Sequence, residues 1–121
     1  MVEFNPENER LKHRFMEYLK GPQQLADSTV QSKLDALNDY EKFIGCKPFK
    51  HYKYELATAY KKHLATRLNR NGKLLSTDTA VHRLLAVEEF FIWLGREPGY
   101  KSCFKHQDVR YFRPSGGDQR A

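Results

Sequence analysis

Cysteine is scarce in this chain of 121 residues: Cys46 and Cys103 are the only two. Two make a poor disulfide framework, which argues against a cysteine-stapled secreted scaffold and suits a reducing compartment. No apolar run approaches the roughly 18 residues that a membrane-spanning helix needs, and the start, MVEFNPENERLKHRF, has neither the apolar stretch nor the cleavage pattern of a signal peptide. The chain is therefore expected to be soluble and cytoplasmic. Also missing are a Walker motif, a dinucleotide-binding glycine pattern and an HExxH pair. No period-two alternation of useful length competes with helical spacing, so strands are not expected.

A catalytic set is lacking too. His106 and Tyr111 stand near Arg110 and Arg113, which suggests phosphate chemistry. They lie in a Pro/Gly-bounded tail with no rigid platform, whereas catalytic groups must be held to within about 0.5 Å. Tyr100 and Tyr111 read instead as packing residues that offer a hydroxyl to water. Glu88 and Glu89 are adjacent, so on a helix they point about 100° apart and cannot act as facing carboxylates. Cys46 with His51, and Cys103 with His106, have the residue types of zinc ligands. Nothing in the sequence brings the two pairs together, and buried free cysteine is the ordinary explanation. No cofactor and no metal are expected, and the chain by itself is expected not to be an enzyme.

What is present is positive charge, unevenly placed. Lysine and arginine total 21 against 15 acids, a formal net charge of +6. Residues 1–45 carry a balance of −2, residues 61–83 of +5 and residues 96–121 of +3. In the middle stretch Lys61, Lys62, Arg67, Arg70, Lys73 and Arg83 face the single acid Asp78. Such clustering points to a polyanionic partner, nucleic acid before membrane, because no basic run stands beside an amphipathic anchor.

With 40% hydrophobic residues the chain can build a core, and the apolar spacing predicts four helices. The first starts near Pro6, shows Leu11, Phe15, Tyr18 and Leu19 on one face, and stops at Gly21-Pro22. In the second, Ser28 and Gln31 have the spacing of a capping box, Val30, Leu34, Leu37, Glu41 and Ile44 form the line, and Gly45 offers a left-handed end. The third is expected from about Tyr52 or Lys53 to about Leu68, with Ala57, Tyr60, Leu64 and Leu68 inward. Asn69-Arg70-Asn71-Gly72 reads as a turn. The fourth begins at the cap Ser76, repeats Ala80, Leu84, Val87, Phe91 and Leu94, and ends at Gly95. The expected fold is all-α, a four-helix bundle over residues 1–95. Residues 96–121 read as a C-terminal extension and interdomain linker: either a short fifth helix near Lys105 to Tyr111 or a strap that docks aromatics onto the bundle.

This arrangement puts Arg67, Arg70 and Lys73 beside the open amides at the start of the fourth helix, where a phosphate is well received. Thr77 and Thr79 add hydroxyls there, and Ser28 and Thr29 open the second helix in the same way. His82 is expected on the exposed side of the fourth helix. Arg83 is expected at the edge of its apolar stripe, with a packed stem and an outward guanidinium. Lys33 ranks lower, since surrounding acids dilute its field. Contacts of this kind grip the backbone of duplex DNA and read few bases. The expected partner surface is therefore a set of unopposed cations joined to a helix N-terminus.

Ser28-Thr29-Val30, Tyr40 and Phe43 in the second helix, and the run LLSTDTAVHRLLAVEEFFIWLG at 74–95, resemble the N-terminal SAM-like core-binding domain of tyrosine recombinases, the phage-integrase family. Leu75, Ser76, Thr79, His82, Arg83, Leu84, Ala86, Phe90, Phe91, Trp93 and Leu94 follow that family's order. The resemblance implies a four-helix domain that packs on one side of a recombination site while a separate C-terminal domain of the same polypeptide closes over the other. It also implies DNA contacts from the start of the second helix and from the Thr79, His82 and Arg83 region, possible contacts with other protomers on DNA, and association with the nucleoid. Glu88 departs from a position often basic in relatives. None of the family's catalytic arginines, histidine, lysine or tyrosine is matched, and Tyr111 does not lie in the tyrosine motif. The linker-like ending suits a fragment cut where the second domain would begin. The competing reading is a helical adaptor for protein or RNA, since such bundles recur with unrelated functions.

Overall fold

A computed structural model describes residues 5–68 and 71–113. Four long helices, α1 (Pro6–Lys20), α2 (Asp27–Phe43), α3 (Tyr54–Thr66) and α4 (Thr77–Leu94), precede a short α5 (His106–Val109), and no strand forms among the described residues. The fold is all-helical.

α1 begins as its sequence predicts. Asn5 caps it by accepting a hydrogen bond from the Asn8 amide at 3.1 Å, Pro6 occupies the first turn, and Glu7 and Glu9 sit at the positive end of the dipole. α2 departs from its expected start. The helix opens at Asp27 with Ala26 at the cap position and no side-chain cap, and Gln31 donates instead to Asp35 at 2.8 Å. Ser28 therefore lies inside the first turn, where its hydroxyl cannot cap, and the capping box is not made. The other end follows expectation. Gly45 takes φ +71°, and Cys46 follows at +59°, so the chain reverses there.

α3 is shorter than the apolar spacing implied. Ala57, Tyr60 and Leu64 are buried, but Arg67 is already extended and Leu68 is 58% exposed, paired with Leu74 in an isolated antiparallel bridge. This pairing closes the reversal between α3 and α4, with Gly72 at φ +78° within it. Leu68 was expected inward. It is drawn out because the loop satisfies its backbone against Leu74 and Leu75 rather than by one more helical turn.

α4 is the central element. Ser76 caps it, and Leu84, Val87, Phe91 and Leu94 are buried along it as the spacing predicts, with Ala80 only half-buried and Phe90 buried beside them. Ala86, Glu88 and Trp93 are buried as well, so the helix is enclosed on nearly all sides. What remains outside is a narrow stripe that includes His82 and Leu85. α2 packs against α4 more extensively than any other pair of elements does.

The segment after α4 belongs to the same core. α5 runs into a 3₁₀ turn, Arg110–Phe112, and buries Val109 and Phe112 completely. The Phe112 ring stacks on Phe91 with centroids 5.6 Å apart and planes at 10°, and it meets Tyr40 edge-on at 5.5 Å. The two readings of this segment merge, since the short helix is also the strap.

Two buried polar side chains tie α1 to α2. Asn8 donates to Glu41 Oε2 at 3.1 Å and to the Lys47 carbonyl at 2.9 Å, and its own oxygen accepts from the Phe49 amide at 3.0 Å. Glu41 in turn receives Lys12 at 2.6 Å. Burial works against the Lys12 charge, but its bonds to Glu41 and Glu9 outweigh that and raise its pKa. Glu41 was expected on the apolar line of α2. It is there, and a lysine and an asparagine satisfy it.

Candidate nucleic-acid interface

Pairings around the seam where α2 meets α4 engage Lys33, Arg67, His82 and Arg83 among the residues singled out from the sequence. Ser28 and Thr29 are exposed in the first turn of α2 beside Asp27. One turn on, Ser32 Oγ and His82 Nε2 share a hydrogen bond at 2.8 Å, joining the exposed edges of the two helices. Lys33 reaches across to Glu89 of α4 at 2.6 Å. Its charge is thus engaged by an acid from the facing helix rather than merely diluted by neighbours.

Asp39 organises the other end of the seam. Tyr60 of α3 donates its hydroxyl to Oδ2 at 2.6 Å, Arg67 donates to Oδ1 at 2.6 Å, and Arg83 Nη1 lies 3.4 Å from Oδ1. The carboxylate is only 13% exposed, while the two arginine side chains are 33% and 25% exposed. One acid on α2 therefore gathers the end of α3 and the second turn of α4. Burial alone would push the Asp39 carboxyl up, but the Tyr60 and Arg67 hydrogen bonds and the Arg83 and Arg67 charges prevail and hold it below the ordinary aspartate range. Burial, followed by the bond to Asp39, raises the Tyr60 phenol. Arg83 packs its stem as expected, and its Nε is buried with no hydrogen-bond partner.

These pairings correct the expectation of unopposed cations. Arg67 and Arg83 share one counterion, and it comes from a helix far away in sequence. Arg70 lies outside the described residues, and Lys73 is exposed. At the start of α4, Thr77 is exposed, but Thr79 is not a free hydroxyl: its Oγ1 lies 2.9 Å from Ser76 Oγ, which also accepts the Thr79 amide at 3.1 Å. That cap occupies one of the amides expected to be open, and Asp78 puts a negative charge in the same turn. The anion-receiving character of this turn is accordingly reduced, and the arginine pair becomes the stronger feature of the site.

Glu88 does not stand on the surface. It is 4% exposed and accepts Arg113 Nε at 3.0 Å, so it anchors the end of the described chain. Asp39 and Ser32 carry no role in the sequence reading, and Tyr60 figures there only as an inward residue of the third helix. A signal for the first two exists: they stand seven residues apart, two turns along one edge of α2. Among the described residues no group of three or more His, Cys, Asp or Glu side chains is placed to hold a metal ion, and no helix is long and apolar enough to cross a membrane.

No family model, curated protein or solved structure matches the chain.

Proposed function

We propose that this chain is a duplex-DNA-binding module of the tyrosine-recombinase kind, a SAM-like core-binding domain that grips the backbone of recombination-site DNA and carries no chemistry of its own. It would act in the cytoplasm, on the nucleoid, together with a catalytic domain of the same polypeptide and with other protomers on the DNA. The observation that carries this reading is the placement of two guanidiniums, Arg67 and Arg83, by the one carboxylate of Asp39. A shared acid fixes both arginines and still leaves two positive charges against one negative. N–H groups not spent on Asp39 can fork onto phosphate oxygens. Ser32 and His82 line the same seam with groups suited to further backbone contacts, and Thr77 stands exposed at the start of α4. The four long helices and the overall positive charge agree with the resemblance.

Binding should be salt-sensitive and weakly selective for sequence, each neutralised phosphate adding roughly 0.9 to the slope of log affinity against log salt. Fluorescence anisotropy with a labelled duplex at two salt concentrations tests this. The double variant Arg67→Gln, Arg83→Gln should bind at least about tenfold more weakly with a slope shallower by one to two. Unchanged affinity in a variant that still melts cooperatively would remove the arginine pair from the site, and absence of any duplex binding would favour the adaptor reading.

A further inference from the structure

A second charged face lies away from the seam, around the segment that follows α4. Two cavities open there. One, of about 450 Å³, lies between the end of α4 and residues 96–109, and Arg96, Lys101, Lys105 and His106 line it with no acid among its lining residues. The other, of about 580 Å³, lies between the start of α3 and residues 101–108, and Lys53 and Tyr54 contribute to it. Lys101, Phe104 and Lys105 line both, so the two cavities adjoin as a trough divided by the Phe104 wall. Phe104 is held edge-on to Phe91 at 5.5 Å and to Tyr52 at 5.7 Å.

Two features set this trough apart. Among the described residues, the side chains of Lys53, Arg96, Lys101, Lys105 and His106 make no ion pair and no hydrogen bond, although Glu55 and Asp108 line the second cavity. Tyr54, at its edge, also packs against Tyr111 with ring centroids 5.0 Å apart, and both tyrosines stay 44% and 49% exposed. Free cations lining a trough, with exposed aromatic faces beside it, are what an unpaired nucleic-acid strand requires: charge tracks the phosphates, and bases stack on the rings. A duplex could use the cations but not the tyrosines, because its bases are already stacked.

We infer that the trough flanked by Tyr54 and Tyr111 binds an unpaired nucleic-acid strand, separately from the duplex seam. This does not depend on the recombinase reading, and its test is independent of that reading. Labelled oligo(dT) and oligo(U) of about 15 nucleotides are titrated against the full chain. Lys101→Glu with Lys105→Glu should weaken both strands about tenfold or more, and Tyr54→Ala with Tyr111→Ala should weaken them about fivefold or more. Duplex affinity should move less than twofold in the tyrosine variant, and Arg67→Gln with Arg83→Gln should leave strand binding in place. Strand affinity unchanged in both trough variants overturns the proposal, as does equal competition by polyglutamate, which would make the trough a general acceptor of acidic chains. All four positions in the trough variants are exposed, so the variants should stay folded, and circular dichroism checks that they do.

Discussion

Arg67 and Arg83 are clasped by a carboxylate, whereas Lys101 and Lys105 make no ion pair or hydrogen bond among the described residues. Both regions are basic, yet they carry charge in different physical states. At the seam the counterion removes part of the field and supplies position. Each guanidinium has lost rotamer freedom before any ligand arrives, which lowers the entropy it must give up on binding. At the trough the full field remains, but the side chains are flexible and solvated, and the order must come from the aromatic rings. A clamp for a regular duplex suits the first state, and a trough for a strand of variable path suits the second.

The contrast can be broken most severely at Phe112. It is fully buried against Phe91 and Tyr40, so Phe112→Ala should cost about 4 kcal/mol in denaturant unfolding. It should also loosen the trough before the seam, visible as faster amide exchange in residues 104–113 than in α2. Equal loss of protection in both would mean the two regions are not separable.

Asp39→Asn comes next. It leaves Arg67, Arg83 and the Tyr60 hydroxyl without their shared ionised acceptor, and about 2 kcal/mol of stability should be lost at neutral pH. A variant as stable as the wild type would put these arginines on the same footing as Lys101. The same carboxylate gives a pH signature. Its folded-state pKa is depressed, so its contribution is complete above the unfolded value of about 3.9 and is lost as pH falls through the folded value. The stability difference between wild type and Asp39→Asn should therefore be flat above about pH 5 and shrink below about pH 4. A difference that grows on acidification would contradict the assigned pairing.

The smallest effect is expected at the trough. Lys101→Glu removes a cation with no partner among the described residues, so unfolding free energy should stay within about 0.5 kcal/mol of wild type. A clear loss would reveal an interaction that holds the lysine in place.

Much of the scaffold is legible in the sequence because local signals and tertiary packing agree there. Pro6 with its acidic first turn, Ser76 as a cap and the Leu84-to-Leu94 spacing are decided within one helix. The start of α2 was misread because Ser28-Gln31 satisfies a capping pattern that Asp27, already helical, pre-empts. Leu68 fits a helical period, but a bridge to Leu74 takes its backbone elsewhere. The site was legible as residues and not as pairings. Arg67, Arg83, His82 and Lys33 could be picked out by charge and helical position. Their partners Asp39, Ser32 and Glu89 come from elements 28 to 56 residues away, and no local spacing carries that information.

On the proposed reading, duplex DNA docks on the α2–α4 seam around the Asp39-held arginines. Amide chemical-shift mapping during titration with a short duplex tests it most directly. The largest perturbations are expected at Ser28, Ser32, Arg67, Thr77, His82 and Arg83, with residues 96–109 moving less. Perturbations confined to residues 96–109, or none at saturating duplex, would contradict it.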